Sequence, residues 1–116
     1  MLQFPTMEEK KYWIGFNLIK GIGAVRMQNL VAYFGDLESA WTADAPALME
    51  AGLGAKLVEK VIGARKQIDL NQVWAKIEAQ GIQILTWADE AYPARLKEID
   101  QPPPVLYIRG EYLMDD

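Results

Sequence analysis

The sequence predicts a mainly α-helical protein with a small α/β tail. Apolar residues recur at intervals of three and four through much of the first 80 positions, which is typical of helices packed on one face. A glycine–apolar–glycine turn occurs twice in the first half, and two short strand-like runs follow near the end. Hydrophobic residues make up 51% and charged residues 24% of the 116 positions, a globular composition. We expect a helical domain over residues 1–67 and an α/β segment over residues 68–116.

Capping residues and glycines divide the first 67 residues into five predicted helices. The stretch Thr6-Met7-Glu8-Glu9 has the pattern of a capping box, in which a hydroxyl oxygen and a glutamate satisfy the first free amides. Aspartates suit helix N-termini, whereas glycines commonly end helices. The predicted helices run from Thr6 to about Lys20, from Ala24 to Phe34, from Asp36 to Trp41, from Asp44 to about Glu50 and from Ala55 to about Lys66.

The pattern changes after residue 68. An amphipathic helix is predicted over Asp69–Gln80, and Gly81 ends it. The run Ile82–Thr86 predicts a strand, and residues 89–99 predict a loop with one or two helical turns. Three prolines then lead into Val105–Ile108, an unbroken apolar run that is typical of a strand buried on both faces. We expect the two strands to associate, directly or through the exposed edge of another molecule.

The glycine–apolar–glycine turn is part of an internal repeat with an offset of 31 residues. The stretch Gly21-Ile22-Gly23-Ala24 recurs as Gly52-Leu53-Gly54-Ala55. The apolar positions of the helices that follow also match, because Met27, Leu30 and Val31 align with Val58, Val61 and Ile62. Two helix–turn–helix units in tandem are therefore predicted.

These turns have the local features of a phosphate site. Each leaves free backbone amides at the start of the next helix, where the positive end of the helix dipole favours a phosphate oxygen. The arrangement resembles the helix-hairpin-helix motif, which holds the DNA backbone without reading sequence. The predicted weak DNA-binding site comprises Lys20, Gly21, Gly23, Arg26, Gly52, Gly54 and Lys56. The alternative is that both turns only join helices in a compact bundle, since each has few cations.

Composition excludes several kinds of catalytic and metal site. The chain has no cysteine and no histidine, which removes disulfides, thiol nucleophiles, the usual zinc ligands and the commonest general base. Ser39 is the only serine, and no histidine can activate it. The adjacent acids Asp89-Glu90 and Asp115-Asp116 are interpreted as solvated surface. We therefore expect no enzymatic activity, no metal and no cofactor; the glycine pattern of a dinucleotide site is also missing.

Net charge is −4 and is unevenly distributed. Residues 1–66 carry eight basic and seven acidic side chains, a net charge of +1, whereas residues 67–116 carry four and nine, a net charge of −5. Neither half has the basic surface of a dedicated DNA-binding domain, so any contact with nucleic acid must be local. No apolar run approaches the roughly 20 residues that cross a bilayer, and no signal-peptide core is present, so a cytoplasmic protein without membrane contact is expected.

Large side chains are mostly assigned to the core. Trp13, Trp41 and Trp74 fall on apolar helical faces, and the methionines Met27 and Met49 are predicted to fill gaps in the core. Trp87 follows a predicted strand and remains a candidate base-stacking platform.

The order of the motifs matches a known pattern. The tandem helical segment leads to Ile82-Gln83-Ile84-Leu85-Thr86, which is followed by Asp89-x-x-Tyr92-Pro93-x-x-Leu96-x-x-Ile99. Next comes Pro103-Pro104-Val105-Leu106-Tyr107-x-x-Gly110. The run after residue 82 is specific in order and spacing, whereas the glycine repeat is only modestly so. Over nearly its whole length, the chain resembles the N-terminal region of the DprA/Smf (DNA-processing protein A) family.

This resemblance implies a sterile-alpha-motif-like (SAM-like) or helix-hairpin-helix-like domain followed by a Rossmann-like domain. Proteins of the family are non-enzymatic; they bind single-stranded DNA that enters during natural transformation and help to load the RecA recombinase. Their main DNA pocket is a glycine- and arginine-containing loop after the next strand, and most dimer and recombinase contacts also lie in the Rossmann-like domain. No such loop follows Gly110. Residues 68–116 are thus expected to be the first part of a truncated Rossmann-like domain, and no residue of that pocket is assigned.

The expected function is that of an N-terminal accessory domain in DNA uptake and homologous recombination. Two alternatives stay open. The helical domain could be a protein–protein interaction module without DNA contact, or the accessory hairpin domain of a DNA-repair enzyme whose catalytic carboxylates lie in another domain. Self-association through exposed strands is a further interpretation.

Overall fold

The computed structural model describes residues 7–109 and 112–113. They form a helical array followed by one small sheet with strand order β1-β2-β3. The elements are α1 Met7–Asn17, α2 Ala24–Phe34, α3 Leu37–Trp41, α4 Ala45–Glu50, α5 Ala55–Gln67, α6 Leu70–Ala79, β1 Ile82–Thr86, α7 Ala94–Lys97, β2 Val105–Arg109 and β3 Tyr112–Leu113.

Aspartate caps begin three of the described helices, and those at Asp36 and Asp44 were predicted from the sequence. A side-chain oxygen of Asp36 accepts from the amide of Ser39 at 2.7 Å and opens α3. The carboxylates of Asp44 and Asp69 accept in the same way, from Ala47 at 3.0 Å and from Gln72 at 3.1 Å. Thr6 lies outside the described residues, and α1 ends at Asn17, about three residues before the predicted position.

The hydrophobic core is centred on α1 and is continuous from the helices to the sheet. Phe16 is fully buried and meets Trp41 edge to face at 5.0 Å between ring centroids. The same cluster of buried residues includes Ile84 of β1 and Val105 of β2. Helix α1 contacts α3 and α6 as well as β1 and β2. It therefore packs against both parts of the chain that the sequence separates at residue 67. That division stays a prediction.

Strands β1 and β2 pair directly, as predicted, and their pairing is antiparallel. The register places Ile82 opposite Arg109 and Thr86 opposite Val105. Val105 and Leu106 are adjacent yet both buried, so the start of β2 is covered on both faces, whereas Tyr107 and Ile108 are half-buried and Arg109 is exposed. A Rossmann sheet is mainly parallel, whereas this pair is antiparallel. The Rossmann-like assignment of residues 68–116 therefore stays a prediction.

An ion pair closes the outer edge of β1. The Lys10 ammonium on α1 donates to the carbonyl of Ile84 at 2.9 Å and lies 3.2 Å from a carboxylate oxygen of Asp89. The other oxygen of Asp89 accepts from the amide of Thr86 at 2.7 Å. The two charged side chains are only 16% and 12% exposed. The interpretation of Asp89 as solvated surface was therefore wrong, because its carboxylate satisfies the strand backbone.

Two side chains near the core depart from, or refine, their predicted roles. Met27 is fully buried as predicted, but Met49 is 50% exposed, so its assignment to the core was wrong. Met49 lies near the end of α4, where Leu48 occupies the core instead. Trp87 packs edge to face on Trp13, with the ring centroids 5.9 Å apart. This contact makes Trp87 a partly buried neighbour of the core.

No helix within the described ranges combines the length and the apolar character that a membrane span requires.

Candidate nucleic-acid interface

The two glycine–apolar–glycine turns share one backbone conformation. Gly21 and Gly52 have φ angles of +102° and +109°, a region that side chains with a Cβ rarely occupy. The central residues, Ile22 and Leu53, are only 5% and 2% exposed. Each turn therefore reverses the chain at its first glycine and places its apolar residue in the core, as the sequence predicted.

The second glycine of each turn begins the next helix without a side-chain cap. Gly23 precedes α2 and Gly54 precedes α5, both with extended backbone angles. The first helical bonds form from Met27 to the carbonyl of Gly23 at 2.9 Å and from Val58 to that of Gly54 at 3.0 Å. The amides of the first three residues of each helix lack an intrahelical acceptor. These helices thus present amides that an anion can bind, whereas aspartates occupy the equivalent positions of α3, α4 and α6.

The two turns lie side by side because each packs against the helix of the other unit. A Cβ on Gly21 would come within 2.8 Å of the Leu57 side chain of α5. A Cβ on Gly52 would come within 3.1 Å of the Asn29 side chain of α2. The Lys60 ammonium also donates to the carbonyl of Lys20, at 3.5 Å. Asn29 and Lys60 are 31 positions apart, so the sequence repeat corresponds to a reciprocal arrangement in space.

The first turn has a cation, Lys60, that was not predicted from the sequence. Lys20 is exposed at that turn, Arg26 is half-buried in the first turn of α2, and Lys60 reaches the turn from α5. Lys56 is exposed at the start of α5. The Nε atom of Arg26 is buried and makes no hydrogen bond within the described part of the chain. The repeat could have pointed to Lys60, since its register pairs Lys60 with Asn29.

Acidic residues surround the second turn. Glu50 and Glu59 are exposed on either side of it, and Asp44 caps the preceding helix. The electrostatic environment of the second turn is therefore less favourable for a phosphate, although its backbone is the same.

Other chemistry has little support in the described residues. Within residues 7–109 and 112–113, no three acidic side chains lie close enough together to hold a metal ion. A cavity of about 480 Å³ lies between α1 and the α2–α3 corner. Its lining is acidic, which suits neither a phosphate nor a nucleotide: Glu9, Trp13, Val31, Gly35, Asp36, Leu37, Glu38 and Ala88.

Comparison with known proteins identifies one curated relative. The chain is 41% identical over 103 residues to Protein Smf of Synechocystis sp. (strain ATCC 27184 / PCC 6803 / Kazusa). The aligned part covers 88% of this chain and 26% of that relative, so the chain spans about a quarter of its length. No family model and no solved structure matches. The alignment covers 88% of the chain at 41% identity, and the chain is therefore homologous to part of a protein of the DprA/Smf family.

Proposed function

We propose that this chain is an accessory module of a DNA-processing protein that binds incoming single-stranded DNA and assists recombinase loading in natural transformation. The homology to Protein Smf supports the general role. In this proposal the module acts in the cytoplasm and carries out no catalysis of its own. The main DNA pocket and the recombinase contacts belong to a Rossmann-like domain to which residues 68–116 contribute the first strands.

The module itself contributes weak contacts to DNA phosphates through the first turn. The observation that carries this proposal is the hydrogen bond between Lys60 and the carbonyl of Lys20, which adds a cation from the second unit to the first turn. The uncapped amides of α2 begin four residues after Lys20, at Ala24. Oriented amides and nearby cations together form a site for one or two phosphate oxygens.

Such a site would not read base sequence. Contacts to phosphate position nucleic acid without distinguishing bases. Base stacking by Trp13 or Trp41 is unavailable, because these side chains are only 7% and 8% exposed. Trp87 is engaged with Trp13. We therefore expect similar affinity for single strands of different sequence, with binding governed by salt.

A charge-reversal experiment tests the first turn directly. The chain is titrated with labelled single-stranded and double-stranded DNA at low salt, as wild type, as K20E/R26E and as the matched control K76E/R95E. The control makes the same change in net charge at exposed positions on α6 and α7. We expect K20E/R26E to weaken binding by about tenfold or more and the control by much less, because the phosphate contact is local.

Salt dependence provides the second measurement of the same proposal. Each phosphate contact on a single strand contributes about −0.7 to the slope of log K against log salt. Contacts from Lys20, Arg26 and Lys60 predict a slope of about −2, which K20E/R26E reduces by about 1.4. Equal losses in K20E/R26E and K76E/R95E, or no binding at high micromolar protein, would contradict the proposal.

The second candidate function is a protein-interaction module without DNA contact. It is favoured by the net charge of only +1 over residues 1–66, together with Leu18 and Val25, which are 52% and 48% exposed beside the first turn. In a longer protein that contains this segment, unchanged DNA binding by K20E/R26E would support this function. A loss of DNA binding would support the phosphate site.

A further inference from the structure

The cavity between α1 and the α2–α3 corner, called the acidic cavity below, has a lining that no function above uses. Its eight described lining residues come from α1, from the end of α2, from the start of α3 and from the loop after β1. Four of them are apolar, three are acidic and one is glycine, and none of those described is basic. A concave site with an apolar lining and a few convergent polar groups is typical of ligand sites in proteins.

Apolar side chains form the floor and the walls of the acidic cavity. Trp13 of α1 and Leu37 of α3 are 7% and 3% exposed, so they belong to the core and to the lining at once. Val31 is half-buried on α2, and Ala88 is exposed on the loop after β1. An occupant with aliphatic groups would therefore bury apolar surface here. A cation over the indole ring of Trp13 would also gain cation–π attraction.

Three carboxylates determine the charge of the acidic cavity. Glu9 in the first turn of α1 and Glu38 in the first turn of α3 are both exposed. Asp36 accepts from the amide of Ser39 at 2.7 Å through one carboxylate oxygen, and this hydrogen bond leaves its negative charge in place. The three side chains lie around the apolar floor. They favour an occupant that is cationic where it meets them.

The C-terminal end of α2 makes the same cavity negative through its backbone. Val31 lies in the last turn of α2 and Gly35 is its C-cap residue, and both line the cavity. The last carbonyls of a helix lack intrahelical donors and form the negative end of the helix dipole. Within this fully described helix, the last turn contains no basic side chain. A cation in the cavity would therefore interact favourably with the helix end as well as with the carboxylates.

We propose that the acidic cavity binds a basic, partly apolar segment of another protein. An arginine or lysine side chain of that segment lies near the carboxylates, and a neighbouring aliphatic side chain packs on Trp13 and Leu37. Long basic side chains combine an aliphatic stem with a charged end, which matches this lining. Arginine is favoured over lysine, because its planar guanidinium pairs with carboxylates and stacks on aromatic rings. The association is weak and salt-sensitive, since the carboxylates lie at the surface.

The acidic cavity and the first turn are separate sites. The first turn precedes the N-terminus of α2, whereas the cavity lies at the C-terminal end of the same helix. The eleven residues of α2 span about 16 Å. DNA at the first turn and a basic segment in the cavity can therefore be bound together. This inference goes beyond the proposed DNA contact and does not depend on it.

Two labelled peptides test the charge of the occupant. Fluorescence anisotropy at low salt measures the binding of Arg-Leu-Arg-Leu-Arg and of Gln-Leu-Gln-Leu-Gln to the whole chain. The peptides share their leucines and differ in charge. We expect the arginine peptide to bind about tenfold more tightly than the glutamine peptide, because its cations meet the carboxylates.

Removing charge at the cavity tests the site. E9Q/E38Q neutralises two lining carboxylates and keeps the length of both side chains, and it is expected to weaken binding of the arginine peptide by about fivefold. The matched control E59Q/E78Q makes the same change in net charge at exposed positions outside the described lining and should have little effect. Asp36 is left intact because its carboxylate caps α3.

Added bulk at the cavity wall provides a second variant that leaves every charge unchanged. Ala88→Phe places a ring at the lining and is expected to weaken binding of the arginine peptide by about tenfold, because the ring competes with the occupant for the same space. Ala91→Phe, at an exposed position of the same loop outside the described lining, is its control. Thermal unfolding verifies that all four variants fold.

The outcomes are distinguishable from those of the DNA test. K20E/R26E should not weaken binding of the arginine peptide, and E9Q/E38Q should not weaken binding of DNA. Equal binding of the two peptides, equal losses in E9Q/E38Q and E59Q/E78Q, or no binding at high micromolar protein would overturn the proposal. Displacement of the arginine peptide by spermidine, at concentrations comparable to the dissociation constant of the peptide, would assign the cavity to free polyamines and would overturn it too.

Discussion

The two turns of the repeat have the same backbone conformation and different surroundings. Gly21 and Gly52 differ by 7° in φ, and both turns bury their central residue. Yet Lys20 and Lys60 lie at the first turn, whereas Glu50 and Glu59 flank the second. The comparison indicates that glycine spacing specifies the chain reversal, while the nearby side chains determine what the turn can bind.

Alanine at the first glycine of each turn tests the shared part of this comparison. Gly21→Ala and Gly52→Ala are each expected to lower the free energy of unfolding by about 1–3 kcal/mol, because a Cβ is strained at positive φ. Gly21→Ala should cost more, since its Cβ would meet Leu57 at 2.8 Å, against 3.1 Å for Asn29 at Gly52. Urea denaturation measures both.

Matched controls lie two residues later in each turn. A Cβ on Gly23 or Gly54 meets nothing within 4 Å and the backbone there is extended, so Gly23→Ala and Gly54→Ala should cost much less. Equal losses of unfolding free energy at the first and second glycines would show that the positive φ angle is not the reason why the first position requires glycine.

Aspartate at the second glycine of each turn tests the difference between the turns. Gly23→Asp and Gly54→Asp each provide a side-chain cap like that of Asp36, and each should stabilise the chain by a few tenths of a kcal/mol. A carboxylate at this position accepts hydrogen bonds from the free amides that would bind a phosphate, and its negative charge repels the phosphate. Gly23→Asp should therefore weaken binding of single-stranded DNA by about tenfold, a loss of about 1.4 kcal/mol. Gly54→Asp should have little effect on fluorescence anisotropy titrations, and equal losses would mean that both turns bind DNA.

The two lysines of α5 provide a finer comparison. Lys60 reaches the first turn, whereas Lys56 is the second residue of α5, the helix that follows the second turn. Lys60→Gln should weaken DNA binding by about threefold and reduce the salt slope by about 0.7, because one phosphate contact is lost. Lys56→Gln removes the same charge and serves as the control. A larger effect from Lys56 would move the DNA contact to the second turn.

The titration of Tyr33 measures the acidity around the second turn. Burial, Glu50 and Asp44 raise the pKa of the Tyr33 hydroxyl in the folded chain above its ordinary value of 10.0, so the folded state loses stability relative to the unfolded chain as pH rises from that value through the folded pKa. Glu50→Gln should move the tyrosine absorbance titration toward lower pH by a small amount, and Glu38→Gln, at an exposed site on α3, should leave it unchanged. An identical titration in both variants would show that Glu50 does not act on Tyr33.

Local features of the chain were predictable, and contacts between distant segments were not. The caps formed by Asp36, Asp44 and Asp69 depend on residues three positions away, and the repeat specified which residues of α2 and α5 are buried. The bond from Lys60 to Lys20 spans 40 positions and that from Lys10 to Ile84 spans 74. Nothing in the local sequence specifies such partners, because lysine at an exposed helical position ordinarily extends into solvent.

The candidate site was identified only in part for the same reason. Its glycines follow from the spacing of the motif, but Lys60 joins it through the packing of Leu57 on Gly21. Met49 is a residue whose burial was predicted wrongly. It was assigned to the core as a gap-filling methionine, but α4 is only six residues long and uses Leu48 for that contact.

The bond from Lys10 to the outer edge of β1 has a consequence for how the chain can be divided or recombined. The carbonyl of Ile84 and the amide of Thr86 are satisfied by Lys10 and Asp89, one from the first helix and one from the loop after the strand. A polypeptide starting at residue 68 would keep Asp89 and lose Lys10, which leaves an open edge that other strands can join. The helical part is therefore not an interchangeable attachment: any replacement for it must supply a positive charge where Lys10 now meets the strand.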